Sequence, residues 1–126
     1  LSTGSKKRAI QLFAVNYLEI VTNDVDHEVK LFELAHGLKF GDPVAELGGT
    51  RTAATPTGSS VGIRAPMRET GLPVVRPYFL TETIAQAVDA LSKQGAETAM
   101  PPMAIEGLGT FAIYIIGGIQ YGLWQV

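Results

Sequence analysis

The sequence predicts an α+β fold of two tandem βαβββ units, the first over about residues 13–67 and the second over about 74–126. Three observations carry this. Val15 to Phe32, VNYLEIVTNDVDHEVKLF, reads as a strand running into a helix, and the pattern returns from Val75 as VRPYFLTETIAQAVDAL. Placing Tyr17 over Arg76 sets Ile20 over Phe79, Thr22 over Thr81, Val25 over Ile84, Val29 over Val88 and Phe32 over Leu91. Weak self-similarity at a fixed spacing marks a duplicated supersecondary unit. After each helical stretch come only short β-prone runs broken by glycine and proline turns.

In the first unit, Ile10 to Thr22 is rich in β-branched and aromatic residues and alternates loosely from Tyr17, which predicts a strand. Asn23 and Asp24 supply a helix N-cap, and Asp26 and Glu28 suit the positive end of the helix dipole. Val25, Val29, Phe32 and Ala35 form the apolar stripe, with Gly37 as C-cap. Three short strands are expected near Val44 to Leu47, Thr50 to Thr55 and Ser60 to Arg64, with turns at Gly48-Gly49 and Pro56-Thr57-Gly58. Arg68 to Pro73 reads as the linker.

In the second unit, Val74 to Leu80 is a strand and Thr83 to Gln86 a capping box. Ile84, Ala87, Val88 and Leu91 make the helical stripe, closed by Gly95. An edge strand, Ala96 to Met100, is expected to end at Pro101-Pro102. A hairpin of Thr110 to Ile116 and Ile119 to Val126 then turns at Gly117-Gly118.

The 126 residues are 46% apolar, enough for a core in one domain. A net charge of −2 with 17% charged residues leaves no positive field for nucleic acid. The Lys6, Lys7, Arg8 cluster reads as a frayed or artificially appended tail. No cysteine is present, so disulfides, thiolate metal sites and cysteine nucleophiles are excluded, and a cytoplasmic protein is expected. Phe111 to Trp124 is the longest apolar run, but it is interrupted by three glycines and falls short of the ~20 residues of a membrane span.

The repeated βαβββ unit, the strand and cap YLEIVTND, and the ending GLGTFAIYIIGGIQYGLWQ resemble the vicinal oxygen chelate superfamily, which includes glyoxalase I, bleomycin-resistance proteins and extradiol dioxygenases. The resemblance implies curved mixed sheets around a cleft, with helices on the outer face. It also implies four metal-ligand positions, one on the first and one on the last strand of each unit. Here these fall on Tyr17, Arg76, Gly122 and a position near Ile63. None suits a divalent cation in the ordinary way, and a guanidinium has no lone pair to donate and repels the ion. No metal or cofactor is therefore expected. His27 and His36 lie on opposite sides of one predicted helix and do not restore a metal site. Glu19, Glu46 and Glu82 are the carboxylates that remain for a metal at a position outside the superfamily's set.

Under this resemblance the cleft face carries Tyr17, Glu19, Arg76 and Tyr78 with Gln120, Gly122 and Trp124. Phe111 and Ile113 join it through the hairpin register, while Leu18, Pro77, Phe79, Leu123 and Tyr114 point the other way. An aromatic wall with one cation and one carboxylate suits a small molecule, aromatic or amphipathic. Arg76 reads as an anchor for a ligand anion or as the ion-pair partner of Glu19. The expected function is metal-independent small-molecule binding, as in sequestration or resistance. The alternative is a metal-independent lyase, isomerase or hydrolase with Arg76 and Tyr17 stabilising an oxyanion and Glu19 moving a proton. A metal-dependent glyoxalase or dioxygenase comes third. Glycine-rich Gly48-Gly49-Thr50 and Thr57-Gly58-Ser59-Ser60 lack the lysine and following helix of a phosphate loop. No membrane partner is expected, and a homodimer is.

Overall fold

The structure, a computed structural model, describes residues 13–126. The basic cluster at residues 6–8 and the first residues of the expected opening strand lie outside these. Strand β1 runs Val15–Val21 and helix α1 Val25–His36. Strands β2 (Arg51–Ala54), β3 (Ser60–Arg64) and β4 (Val74–Leu80) lead to helix α2 (Ile84–Lys93). Strands β5 (Glu97–Ile105), β6 (Gly109–Ile116) and β7 (Ile119–Gln125) close the chain. β1 and β4 stand in the register of Tyr17 over Arg76 at both ends, and so do the first residues of the two helices.

The strands form one mixed sheet in the order β2-β3-β1-β4-β7-β6-β5. Each unit's first strand is parallel to its last, β1 to β3 and β4 to β7. The units join edge to edge through antiparallel β1 and β4, which sets Glu19 opposite Arg76 and Tyr17 opposite Tyr78. Alternation along the strands then sorts the side chains to two faces. Ile20, Ile63 and Val61 pack with Val29 and Phe40 beneath α1, and Leu18, Val25 and Phe32 lie against them. Ala112 and Leu123 pack with Ile84 beneath α2, joined by Phe79, Val88, Leu91 and Tyr114. With both helices on that face, the sheet's other face is left to form a cleft.

Local chemistry explains the helix ends. The Asp24 carboxylate accepts from the His27 N–H at 3.3 Å, and Gly37 closes α1 at φ 68°, where a side chain would be strained. The expected Thr83 to Gln86 capping box does not form. Instead the free N–H of Ile84 donates to Gln125 Oε1 at 2.7 Å, so β7 caps α2 from outside its own sequence. Among the described residues no helix is long and apolar enough to cross a membrane.

Two strand expectations are corrected. Val44 to Leu47 is not a strand: Val44 makes a single bridge to Thr50, and Ala45–Leu47 form a 3-10 turn. Ala45, Glu46 and Leu47 have no β-branched side chain, and Gly48 and Gly49 follow at φ 68° and 82°, turning the chain before a ladder can extend. The first unit is therefore βαββ. Conversely, Pro101-Pro102 do not end β5, which continues to Ile105. β5 is the sheet edge, where a missing N–H costs nothing to a neighbour, and the prolines sit within its irregular pairing between Met100 and Met103.

Candidate functional site

The cleft face begins with an aromatic cluster. Tyr17 on β1, Tyr78 on β4 and Trp124 on β7 are buried together, with Phe111 and Ile113 of β6 and Ile105 of β5 against them. Ring centroids of Tyr17 and Trp124 are 5.5 Å apart, and Tyr78 meets Trp124 edge-on at 6.0 Å. Such tilted and T-shaped pairs satisfy the ring quadrupoles. Two glycines make room for them. A Cβ at Gly62 would stand 1.8 Å from Tyr17 Oη, and one at Gly122 would stand 2.2 Å from Tyr78 Cδ2.

Beside the rings lies a buried charge cluster. Glu19 is 7% exposed and Arg76 8%. Glu19 Oε1 pairs with Arg76 Nη1 and accepts from Tyr78 Oη at 2.9 Å, while Oε2 accepts from Arg64 Nε at 2.7 Å. Arg76 in turn donates from Nε to Gln120 Oε1 at 3.0 Å, and from Nη2 to the same oxygen. Both oxygens of the carboxylate are engaged, and three faces of the Arg76 guanidinium are used within the protein. Arg64 also donates from Nη1 to the Ala65 carbonyl at 3.1 Å.

Burial, with the charge of Glu19 adding to it, pushes the Tyr17 phenol up to about 12, and the same causes raise Tyr78 further. Both phenols are thus neutral hydrogen-bond groups at physiological pH, and Tyr78 donates its proton to Glu19.

A cavity of about 220 Å³ opens over this arrangement, lined by the aromatic cluster, Glu19, Arg64 and Arg76. A second, of about 330 Å³, adjoins it across Tyr17, Leu47 and Trp124 and extends toward Ser60 and Val126. A third, of about 440 Å³, lies on the far side of the two arginines under the linker, against Pro66, Met67 and Leu72.

All six residues expected at the site, Tyr17, Glu19, Arg76, Tyr78, Phe111 and Trp124, line the first cavity. His27 and His36 are exposed on α1, and Glu46 and Glu82 are exposed away from it. The residue that sequence reasoning missed is Arg64. It was legible only as the end of a short strand, although its spacing of two from Gly62 places both on the cleft face. The register also resolves the position near Ile63. Glu19 pairs with Gly62 as Tyr78 pairs with Gly122, whereas Ile63 lies wholly buried on the helix side.

With this register, the metal-ligand positions that the resemblance implies fall on Tyr17, Gly62, Arg76 and Gly122. Two offer no side chain, one is a guanidinium and one a neutral phenol. This donor set does not fit a divalent cation. Among the described residues no group of three or more His, Asp and Glu comes together elsewhere.

Paired units with helices outside and a cleft within are the fold that the resemblance to the vicinal oxygen chelate superfamily implies. Solved structures agree. The chain is similar to a hypothetical protein of Bacillus halodurans with a TM-score of 0.72 at 11% identity, over 92% of this chain and 96% of that one. It is similar to methylmalonyl-CoA epimerase of Mycobacterium tuberculosis, a member of that superfamily, with a TM-score of 0.68 at 15% identity, over 87% and 85%. A variant of the Streptomyces coelicolor epimerase, in complex with 2-nitronate-propionyl-CoA, gives 0.64 at 16% identity, over 88% and 95%. No family model and no curated protein sequence matches the chain.

Proposed function

We propose that the protein binds an aromatic or amphipathic small molecule in this cleft without a metal ion, as in sequestration or resistance. One observation carries the reading. The charge cluster lies among the positions that the resemblance gives to metal ligands, and its carboxylate is already saturated, since Glu19 commits both oxygens to Arg64, Arg76 and Tyr78. A general base needs a lone pair free to reach a substrate proton. What faces the cavity is an aromatic and aliphatic wall with a few fixed polar groups, the usual composition of a ligand pocket. The organic ligands named for the epimerase neighbours support small-molecule binding on this fold.

A thermal-shift screen of aromatic and amphipathic compounds tests it. A ligand at a hundred times its Kd adds about 2.7 kcal/mol of stability, well within detection. Phe111 is half-buried on the cavity wall, so hits should bind Phe111→Ala at least tenfold more weakly while the variant still unfolds cooperatively. Hits that bind Phe111→Ala and wild type alike would place the ligand elsewhere. Chelator-resistant turnover that is lost in Glu19→Gln would instead make the protein an enzyme. The proposal includes a homodimer, for which light scattering should give twice the 13.4 kDa of the chain. A particle of 13.4 kDa would reject that part.

A further inference from the structure

We infer that Arg64, rather than Arg76, is the anion anchor of the cleft, and that the ligand is an amphipathic organic anion whose carboxylate or other oxyanion head binds there. The inference rests on the binding reading above and names the class of ligand.

Three observations converge on Arg64. The first is charge. The three adjoining cavities are lined by two guanidiniums and one carboxylate, Glu19, and by no other charged side chain among the described residues. Their side chains are only 15% (Arg64), 10% (Arg76) and 9% (Glu19) exposed, so one positive charge stands uncompensated in a partly desolvated site. An uncompensated charge there is costly, and a bound anion offsets the cost. The second is hydrogen bonding. Arg76 directs Nε and Nη2 to Gln120 and Nη1 to Glu19. Arg64 gives Nε to Glu19 and Nη1 to Ala65, and its Nη2 has no acceptor among the described residues. Arg76 therefore positions Glu19, which in turn aims Arg64. The third is placement. Arg64 lines both the aromatic cavity and the cavity beneath the linker. A head group at its guanidinium leaves an apolar body free to lie against Phe111, Ile113, Met100 and Trp124, or against Met67 and Leu72.

A matched pair of fluorescent probes tests this. Anilinonaphthalene sulfonate and phenylnaphthylamine share one ring system and differ only by the sulfonate. The chain's one tryptophan, Trp124, lies in the cleft and reports both by energy transfer. The expected result is saturable binding of each, with the sulfonate bound at least tenfold more tightly and its advantage shrinking as salt is raised. Arg64→Gln should bring the two affinities within about twofold of each other, and Arg64→Lys should restore part of the preference. Lys93→Gln, exposed on α2, should leave the preference as in wild type, and thermal melts monitor folding throughout. Naphthoate and naphthyl phosphate as competitors then separate carboxylate from phosphate heads.

If the neutral probe binds as tightly as the sulfonate, the cleft binds ligands but the anion anchor is wrong. A preference that survives Arg64→Gln overturns the assignment to Arg64, and its loss only in Arg76→Gln moves the anchor to Arg76. If neither probe binds, the binding reading fails and this inference with it.

Discussion

Glu19→Gln probes the charge cluster most sharply. The substitution keeps the volume and leaves an amide oxygen that can still accept from Tyr78. It removes the negative charge that Arg64 and Arg76 share, leaving two guanidiniums facing one another in a cleft where both are largely buried. Removing one partner of a buried ion pair costs about 3–5 kcal/mol. Arg64 is 15% exposed and can turn toward solvent, so the lower figure, about 3 kcal/mol, applies. At this chain length 1 kcal/mol shifts the midpoint by about 4 °C, which predicts a Tm about 12 °C below wild type. Denaturant unfolding monitored by Trp124 fluorescence should show the same loss as a lower midpoint at unchanged slope. The double variant Glu19→Gln/Arg64→Gln should recover part of it, because one of the two orphaned charges is gone. At the same time Glu19→Gln should bind anilinonaphthalene sulfonate more tightly than wild type. A loss below about 1 kcal/mol, or a double variant less stable than the single one, would refute the view that the cluster is held together by its carboxylate.

Other consequences are equally open to measurement. Gly122→Ala and Gly62→Ala thrust a methyl group into Tyr78 and Tyr17, and each should destabilise by about 1–3 kcal/mol with loss of ligand binding, whereas Gly107→Ala would add a methyl group where nothing lies within 4 Å and meets only the strain of its positive φ. Since the Tyr17 phenol is raised from 10.0 to about 12, its contribution is complete below pH 10 and lost as pH climbs to about 12, removing about 2–3 kcal/mol. Alkaline melts with phenolate absorbance should show that descent, and a flat stability between pH 10 and 12 would contradict the burial of Tyr17. Gln125→Ala leaves the Ile84 N–H without its cap and should cost about 1 kcal/mol, a loss that Thr83→Ala should not match.

The two helices, the first strand of each unit and the sorting of residues between faces were legible because they follow periodicities of 3.6 and 2, which survive weak sequence similarity. That arithmetic puts Val29 and Ile84 on the apolar stripes of their helices and Tyr17 and Tyr78 on the face opposite Leu18 and Phe79, and the resemblance then names the face of the two tyrosines as the cleft. What the sequence concealed depends on long-range geometry. Ala45 to Leu47 collapses into a turn because consecutive glycines follow it, and β5 tolerates two prolines because it is an edge. Gln125 replaces an expected local cap from about forty residues away in the chain. Arg64 escaped notice because its meaning comes from Glu19 across the β1–β3 pairing, not from its neighbours. Gly122 looked like the loss of a ligand side chain, yet its hydrogen, like that of Gly62, is what admits the ring beside it, Tyr78 for Gly122 and Tyr17 for Gly62.

The central claim is that the cleft holds a small molecule, with a charge cluster among the positions that the resemblance gives to metal ligands. An equilibrium titration of phenylnaphthylamine into protein dialysed against a strong chelator, read by energy transfer from Trp124, tests it most directly. Saturable binding with one probe per chain, unchanged when zinc, nickel or iron is added back, is the expected result. Binding that appears only after metal is restored, or none in either condition, would contradict it.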